Sequence, residues 1–173
     1  MKKLLASFAL AAFSVSAFAH GPTPQKIDDR IVIKAEPAKV WAMVKDYSKA
    51  EAWIPTVEST KVEKKGADTV RTLSLKSGGK VVDKIKSIDE ENMKIKFDFI
   101  SGGPVTNYNP YISVTPGPGA GESSVRYFHR FYRFFPNNPP IPEGQDDASA
   151  VKFVEDTFGP GLENLKKVLE KSK

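Results

Sequence analysis

The sequence predicts an α+β domain in which an antiparallel sheet of about seven strands is covered by a long C-terminal helix. Two patterns indicate this fold. The middle of the chain consists of strand-like runs split by turn residues, and its last part carries apolar residues at spacings of three and four. A sheet that is apolar on one face needs a second layer over that face. The last helix is the element that can provide this layer.

The first 19 residues have the composition of a secretory signal. A basic start, MKK, precedes the apolar run LLASFALAAFSVSAF and the small residues AFA, which stand before His20. The apolar run is shorter than the roughly 20 residues that a membrane-spanning helix needs. We therefore expect cleavage after Ala19, a mature single domain of residues 20–173, and no membrane span once the signal is removed.

Charge and cysteine content narrow the class of protein. The chain has 26 Lys and Arg against 21 Asp and Glu, and loss of Lys2 and Lys3 with the signal leaves 24 − 21 = +3. This charge is smaller than nucleic-acid-binding domains usually show, yet it can steer an encounter with an acidic protein. The sequence has no cysteine, which excludes disulfides, thiolate metal ligands and covalent haem attachment. A secreted domain without disulfides fits the bacterial periplasm best, and we expect no cofactor.

The first elements are a strand and two short helices. The run IDDRIVIKA has isoleucines at alternate positions, which is typical of a strand. In EPAKVWAMVKDY, Pro37 stands at a favourable first helical position, and Val40 and Val44 belong to an apolar stripe. A second short helix, KAEAW, is expected to end before Pro55.

Six strand-like runs follow. The first four are VESTKVEKK, TVRTLSLKS, KVVDKIKSI and MKIKFDFI, and the turn signals KGAD, SGG and DEEN separate them. The fourth alternates, with Ile95 and Phe97 facing one side and Lys94 and Lys96 the other. The runs VTNYNPYISVT and ESSVRYFHRFYRF complete the sheet. The glycine-rich turn PGPGAG joins these two strands, so it is not a dinucleotide-binding loop, which has to open a helix.

The chain ends with a proline-rich loop and an amphipathic helix. The loop reads FPNNPPIPEGQDD, and the helix reads ASAVKFVEDTFGPGLENLKKVLEK. The apolar stripe of this helix comprises Val151, Val154, Phe158, Leu162, Leu165 and Leu169. Because Pro160 has no N–H to donate to the carbonyl of Asp156, a kink is predicted at this point.

The order of these elements, with particular residues, resembles the START-like, Bet v 1-like superfamily, also called SRPBCC. IKAEPAKVWAMVKDYSKAEAWIPTVEST is similar to the opening block of this superfamily, VRTLSLKSGGKVVDKIKSID to the next block, and GLENLKKVLE to the closing helix. The resemblance implies a helix-grip fold, in which a curved antiparallel sheet wraps around the long helix and leaves a cavity. Members include carriers, cyclases, dehydratases and accessory proteins, so the fold does not fix the function.

Two segments and the signal are similar to the MxaD-type accessory family of bacterial methanol oxidation. These segments are HGPTPQK at the expected mature start and RFFPNNPPIP ahead of the last helix. The resemblance implies a non-enzymatic partner of a periplasmic redox pair, methanol dehydrogenase and its cytochrome c electron acceptor. Since the sequence lacks Cys-x-x-Cys-His, this chain cannot itself be the haem carrier.

The run RYFHRFYRFF at residues 126–135 is the candidate functional strand. Residues two apart share a face of a strand. One face has no arginine before Arg133 and is predicted to line the cavity; it comprises Val125, Tyr127, His129 and Phe131. The opposite face is predicted to bind a partner, because arginine and aromatic residues are enriched at interaction hot spots; it comprises Arg126, Phe128, Arg130 and Tyr132. The alternative is an ordinary strand whose rings cover the core and whose arginines are solvated.

A small hydrophobic ligand in the cavity is the second functional hypothesis. The predicted lining comprises Phe97, Phe99, Tyr108, Tyr127, His129, Phe131 and Phe158. A third hypothesis is a cyclase- or dehydratase-like enzyme that uses His129 and needs an orienting partner. The candidates for this partner are Tyr108, Asn107, Tyr111 and Arg71. The simpler interpretation is a wall histidine whose polar atoms are satisfied.

Four further features have simpler interpretations. Aromatic and basic residues together also bind single-stranded nucleic acid, but the small charge and the expected export argue against this partner. A copper site at His20 lacks further ligands, so no metal is predicted. Arg71 and Asp83 lie on one predicted hairpin and can pair, but as solvated charges they contribute little and receive no function. The proline-rich loop is a gate, a partner-binding edge or a rigid linker.

Overall fold

Eight strands and three α-helices make up residues 21–171, the part of the chain that this computed structural model describes. The predicted signal and His20 lie outside these residues. The elements are β1 (Gln25–Ile33), α1 (Pro37–Val44), a 3₁₀ segment (Tyr47–Ala52), β2 (Val57–Lys65), β3 (Asp68–Leu75), β4 (Lys80–Asp89), β5 (Lys94–Ser101), β6 (Val105–Thr106), β7 (Tyr111–Pro116), β8 (Ser123–Arg133), α2 (Asp147–Phe158) and α3 (Pro160–Lys171).

The strands form one antiparallel sheet with the order β1-β8-β7-β5-β4-β3-β2, and the short β6 also pairs with β8. Sequential neighbours pair through most of the sheet, and only β1 is distant in sequence from its neighbour β8. As a result, the strand with the run RYFHRFYRFF lies between β1 and β7. The predicted α+β class with its antiparallel sheet is confirmed.

The run VTNYNPYISVT forms two strands, whereas its composition predicts a single one. β6 and β7 are separated at Asn107, whose φ of 47° lies in the left-handed region, and at Pro110, which has no N–H for a strand ladder. Tyr108 lies in this break and is buried. The interruption therefore takes Tyr108 out of the strand alternation and places it in the interior.

The last helix is bent where the sequence predicts the bend. α2 ends at Phe158 and α3 begins at Pro160, on either side of Gly159. Asp146 caps α2 by accepting a hydrogen bond from the Ser149 N–H at 2.7 Å. The buried stripe along both halves comprises Ala150, Val154, Phe158, Leu162, Leu165 and Leu169. This stripe packs over the apolar face of the sheet and closes the core.

No helix within residues 21–171 is long and apolar enough to span a membrane.

Candidate functional site on strand β8

β8 alternates along its whole length between buried and partly exposed residues. The residues expected on the inner face lie there: Val125, Tyr127, His129 and Phe131 are buried. The four expected on the outer face are all partly exposed. One strand therefore supplies both candidate sites, on its two faces.

The inner face of β8 contributes to a packed aromatic cluster. The ring centroids of Tyr127 and His129 lie 4.1 Å apart, and Phe158 of α2 stacks on His129 at 5.7 Å. Tyr108 meets Phe131 edge-on at 5.8 Å. Phe99 differs from the other predicted lining residues, because it is only partly buried while its ring lies 5.8 Å from Tyr108. The predicted lining residues other than Phe97 are thus rings in mutual contact, and the ring of Phe97 lies against the Arg71 guanidinium.

His129 is the polar centre of this cluster. Its Nδ1 lies 2.6 Å from the Tyr108 hydroxyl. Its Nε2 is buried and has no hydrogen-bond partner among the described residues. The expectation of a fully satisfied wall histidine is therefore wrong for one ring nitrogen. Burial lowers the pKa of His129 to about 3, so the imidazole is neutral near pH 7.

Tyr108 is the orienting partner that the sequence left open among four candidates. Asn107 is exposed, and Tyr111 lies on the outer face, where its ring stacks on Phe128 at 5.1 Å. Burial raises the pKa of the Tyr108 and Tyr127 hydroxyls, so both stay protonated. A pKa of about 3 for His129 is far below the value that suits proton exchange at neutral pH. The pair is better suited to hydrogen bonding than to acid–base catalysis.

Arg71 and Asp83 form a buried ion pair, so their interpretation as solvated charges is wrong. The two residues are direct cross-strand partners, and their side chains are 4% and 6% exposed. Arg71 Nε and Nη2 donate to the two carboxylate oxygens at 3.0 and 2.7 Å, and the guanidinium lies 4.0 Å from the centre of the Phe97 ring. The alternation of the strand could have predicted this burial, because Arg71 lies two residues before Leu73 and therefore on the same, buried face of β3.

The outer face of β8 is a layer of arginine and aromatic side chains. Arg126 lies 5.1 Å from the Phe128 ring and 5.5 Å from the Tyr111 ring. Arg130 lies 5.4 Å from the Tyr132 ring and donates to the Tyr132 hydroxyl at 3.0 Å. Such contacts keep a guanidinium group beside an aromatic ring while the group remains accessible. The stacking of arginine on aromatic rings that the sequence predicts is present.

The same face is basic across its neighbouring strands. Pairing places Lys94, Ser113, Arg126 and Arg30 in one row, and Lys96, Tyr111, Phe128 and Asp28 in the next. The outward positions of β1, β5, β7 and β8 carry six basic residues, Lys26, Arg30, Lys94, Lys96, Arg126 and Arg130. They carry two acidic ones, Asp28 and Asp98, which gives 6 − 2 = +4. The face as a whole attracts an acidic surface.

Arg133, the last residue of β8, has a role that the sequence did not reveal. Its side chain is buried, and it donates to the carbonyls of Phe135 and Asn137 at 2.9 and 3.0 Å. It also pairs with Asp147, the first residue of α2, at 3.0 Å. Arg133 thus fastens the start of the proline-rich loop to the start of the last helix. Of the three interpretations of this loop, the structure favours the rigid linker.

Within residues 21–171, no three His, Asp or Glu side chains come together as a metal site requires.

The fold is similar to several solved structures. XoxI from Bacillus cereus is 20% identical, with a TM-score of 0.71 over 83% of this chain and 94% of that chain. A START superfamily protein from Mycobacterium smegmatis is 13% identical, with a TM-score of 0.65 over 86% and 99%. The Zhui aromatase/cyclase from Streptomyces is 13% identical, with a TM-score of 0.66 over 86% and 93%. At these identities the likeness concerns the fold alone, and it agrees with the predicted START-like fold.

No curated protein matches the chain. A sequence profile described as polyketide cyclase / dehydrase and lipid transport matches residues 24–170. This match covers almost all of the described residues, and the chain therefore belongs to that family.

Proposed function

We propose that the protein is an exported, non-enzymatic accessory protein of a periplasmic redox enzyme system. In this proposal it promotes the interaction of methanol dehydrogenase with its cytochrome c electron acceptor. The observation that carries the proposal is the basic, aromatic outer face of β8, on which Arg126 and Arg130 lie over aromatic rings and remain accessible. The similarity of HGPTPQK and RFFPNNPPIP to the MxaD-type family supplies the choice of partner.

The chemistry of the outer face favours a protein partner with an acidic surface. Aromatic rings supply large contact areas with little loss of side-chain entropy, and guanidinium groups recognise carboxylates through paired hydrogen bonds. Phe128 and Tyr132 are already held beside the two arginines, so binding need not order them first. A net positive face also accelerates the encounter at low ionic strength.

The inner face supports a non-enzymatic role. Its histidine is neutral and bonded to a tyrosine, and its ion pair joins two β-strands. A catalytic histidine works best with a pKa near the operating pH, and burial moves the pKa of His129 away from it.

The test is the association of the purified protein with methanol dehydrogenase and, separately, with its cytochrome c. We expect the double variant Arg126→Ala/Arg130→Ala to bind at least about tenfold more weakly, since two central arginines are removed. The matched control is Lys65→Ala/Lys80→Ala, which removes the same charge at exposed positions of β2 and β4. Equal binding by both double variants, or no binding to either redox protein, would refute the proposal.

A second candidate function is favoured by the polar groups of the interior. A buried imidazole nitrogen without a partner and a buried ion pair are unusual in a core that serves packing alone. They suit a small, mostly apolar ligand held between sheet and helix, as the description of the family also suggests. Native mass spectrometry of protein purified from its host would detect such a ligand. Protein that is free of ligand and fails to take up lipid extracted from that host would exclude this function.

A further inference from the structure

A groove crosses the outer face where β1, β8 and β7 lie side by side. Its volume is about 470 Å³, and its lining includes Arg30, Val32, Ser113, Thr115, Ser124 and Arg126. Val32 lies near the end of the edge strand β1, and its side chain is 37% exposed, so it supplies an apolar surface in the groove. The groove thus combines two cations, three hydroxyls and an apolar patch.

The two arginines of the groove lie directly opposite each other. Arg30 and Arg126 are cross-strand partners, a placement that is unfavourable for like charges. Asp28 joins them. Arg126 donates to its two oxygens at 2.6 and 2.9 Å, and Arg30 at 3.3 and 2.9 Å. The hydrogen bonds from Arg126 and Arg30 lower the pKa of Asp28 to about 2. One carboxylate therefore serves two guanidinium groups, and one positive charge remains.

Hydrogen-bonding capacity is also left over. A guanidinium has five N–H donors, and Asp28 engages two on each arginine. No other described residue accepts a hydrogen bond from Arg30 or Arg126. Their side chains are 64% and 36% exposed, so the remaining donors are accessible. A second carboxylate would find both the charge and the donors that it needs.

We propose that this groove, which we call the arginine groove (Arg30, Val32, Ser113, Ser124 and Arg126), binds an acidic segment of the protein partner. A Glu or Asp carboxylate of that segment pairs with Arg30 and Arg126, and an adjacent aliphatic side chain packs on Val32. Asp28 is the internal carboxylate that holds both arginines in place and competes with the incoming one. This inference rests on the proposed docking function and names the chemistry of its partner.

The probe is a capped peptide with one glutamate next to one leucine, and its control has glutamine in place of glutamate. Backbone amide shifts of the purified protein, measured by NMR, report where each peptide binds. We expect the glutamate peptide to shift the amides of Ser113, Ser124 and Arg126 and the glutamine peptide to bind about tenfold more weakly. Arg126→Lys, which keeps the charge but loses the planar fork, should also bind about tenfold more weakly. The assignment would be overturned if the peptide shifted amides over the whole basic face and if Lys96→Gln weakened peptide binding as much as Arg126→Lys does.

The role of Asp28 is tested by a matched pair of variants. Asp28→Asn and Asp98→Asn each remove one negative charge from the outer face, but only Asp28 contacts the arginine groove. We expect Asp28→Asn to bind the glutamate peptide several-fold more tightly, while Asp98→Asn changes affinity by less than about twofold. Equal gains in affinity for the two variants would show that Asp28 does not compete with the peptide carboxylate.

The choice of a protein carboxylate as the ligand has its own test. Tighter binding of anionic lipid vesicles or inorganic phosphate than of the peptide would overturn this choice.

Failure of this inference can be told apart from failure of the docking function. Arg30→Gln alters the groove alone, and Arg130→Ala alters the docking face outside the groove. If methanol dehydrogenase binding falls with Arg130→Ala but not with Arg30→Gln, the arginine groove is wrong and the docking function stands. If the peptide binds in the groove but neither redox protein binds at all, the groove stands and the proposed partner is wrong.

Discussion

The two faces of β8 use the same residue types for different purposes. On the inner face, Arg133 is buried and donates hydrogen bonds to loop carbonyls and to Asp147. Tyr127 and His129 on the same face pack against α2. On the outer face, Arg126 and Arg130 contact aromatic rings and remain accessible to water. Burial, rather than residue identity, decides which side chains hold the fold and which are free to bind. Changes to the inner face should therefore cost stability, and changes to the outer face should cost binding.

The largest effect is expected from the buried ion pair. Asp83→Ala leaves the Arg71 guanidinium buried without its carboxylate, which should lower the free energy of unfolding by about 3–5 kcal/mol. Urea unfolding followed by circular dichroism measures this change. The matched control is Asp98→Ala, which breaks the more exposed pair with Lys86 and should cost about 1 kcal/mol or less. Similar losses in the two variants would contradict the contrast between buried and exposed pairs.

The next effect is a pH dependence that comes from His129. Its folded pKa of about 3 lies below the ordinary value of 6.5, so the unfolded chain takes up this proton first as the pH falls. Stability is therefore fully present above pH 6.5 and declines toward pH 3, by about 1 kcal/mol per pH unit between pH 6 and 5. Asp28, whose pKa is lowered to about 2, affects stability only below its ordinary pKa of 3.8. Asp29, whose pKa is raised by burial, affects stability in the opposite direction.

Urea unfolding at pH 6 and pH 5 measures the contribution of His129 to the pH dependence of the unfolding free energy. We expect His129→Phe to have a much smaller difference in unfolding free energy between the two pH values than the unaltered protein. The slope is the quantity that matters, because the variant also removes the partner of Tyr108. An unchanged slope would mean that His129 is not buried in its neutral form.

The effect expected at the end of β8 is smaller than that of the buried ion pair. Arg133→Gln loses the ion pair with Asp147 and the hydrogen bonds to the carbonyls of Phe135 and Asn137, which should cost about 2 kcal/mol. It should also make the proline-rich loop a site of rapid proteolysis between residues 134 and 146. Arg130→Gln, three residues earlier on the outer face, is the control and should leave the loop resistant. Equal cleavage of both variants would show that Arg133 does not fasten the loop.

The sequence predicted what depends on local pattern. Period two in β8 separated the inner from the outer residues correctly, and Pro160 predicted the bend between α2 and α3. It did not predict what depends on distant pairing. Pro110 disfavours one continuous strand in the run VTNYNPYISVT, but the run does not show which of its residues meets His129. The burial of Arg71 likewise depends on the register of β3 against β4. The arginine groove also requires β1 beside β8, a pairing of the two ends of the sheet-forming region.

The smallest effect on stability is expected on the outer face. Arg126→Ala/Arg130→Ala removes exposed guanidinium groups, and the unfolding free energy should fall by about 1 kcal/mol or less. Urea unfolding checks this value against that of Asp83→Ala. A loss comparable to that of the buried pair would show that the outer arginines hold the fold, and the functional difference between the two faces would disappear.

The most direct test of the central claim compares one variant of each face in the same functional assay. The assay is the rate of electron transfer from methanol dehydrogenase to its cytochrome c, with and without the protein, at a temperature where all variants are folded. We predict that Arg126→Ala/Arg130→Ala abolishes the stimulation while it keeps near-normal stability, and that His129→Phe keeps the stimulation while it loses stability. Stimulation that survives the outer-face variant and is lost with His129→Phe would contradict the proposal and place the function in the interior.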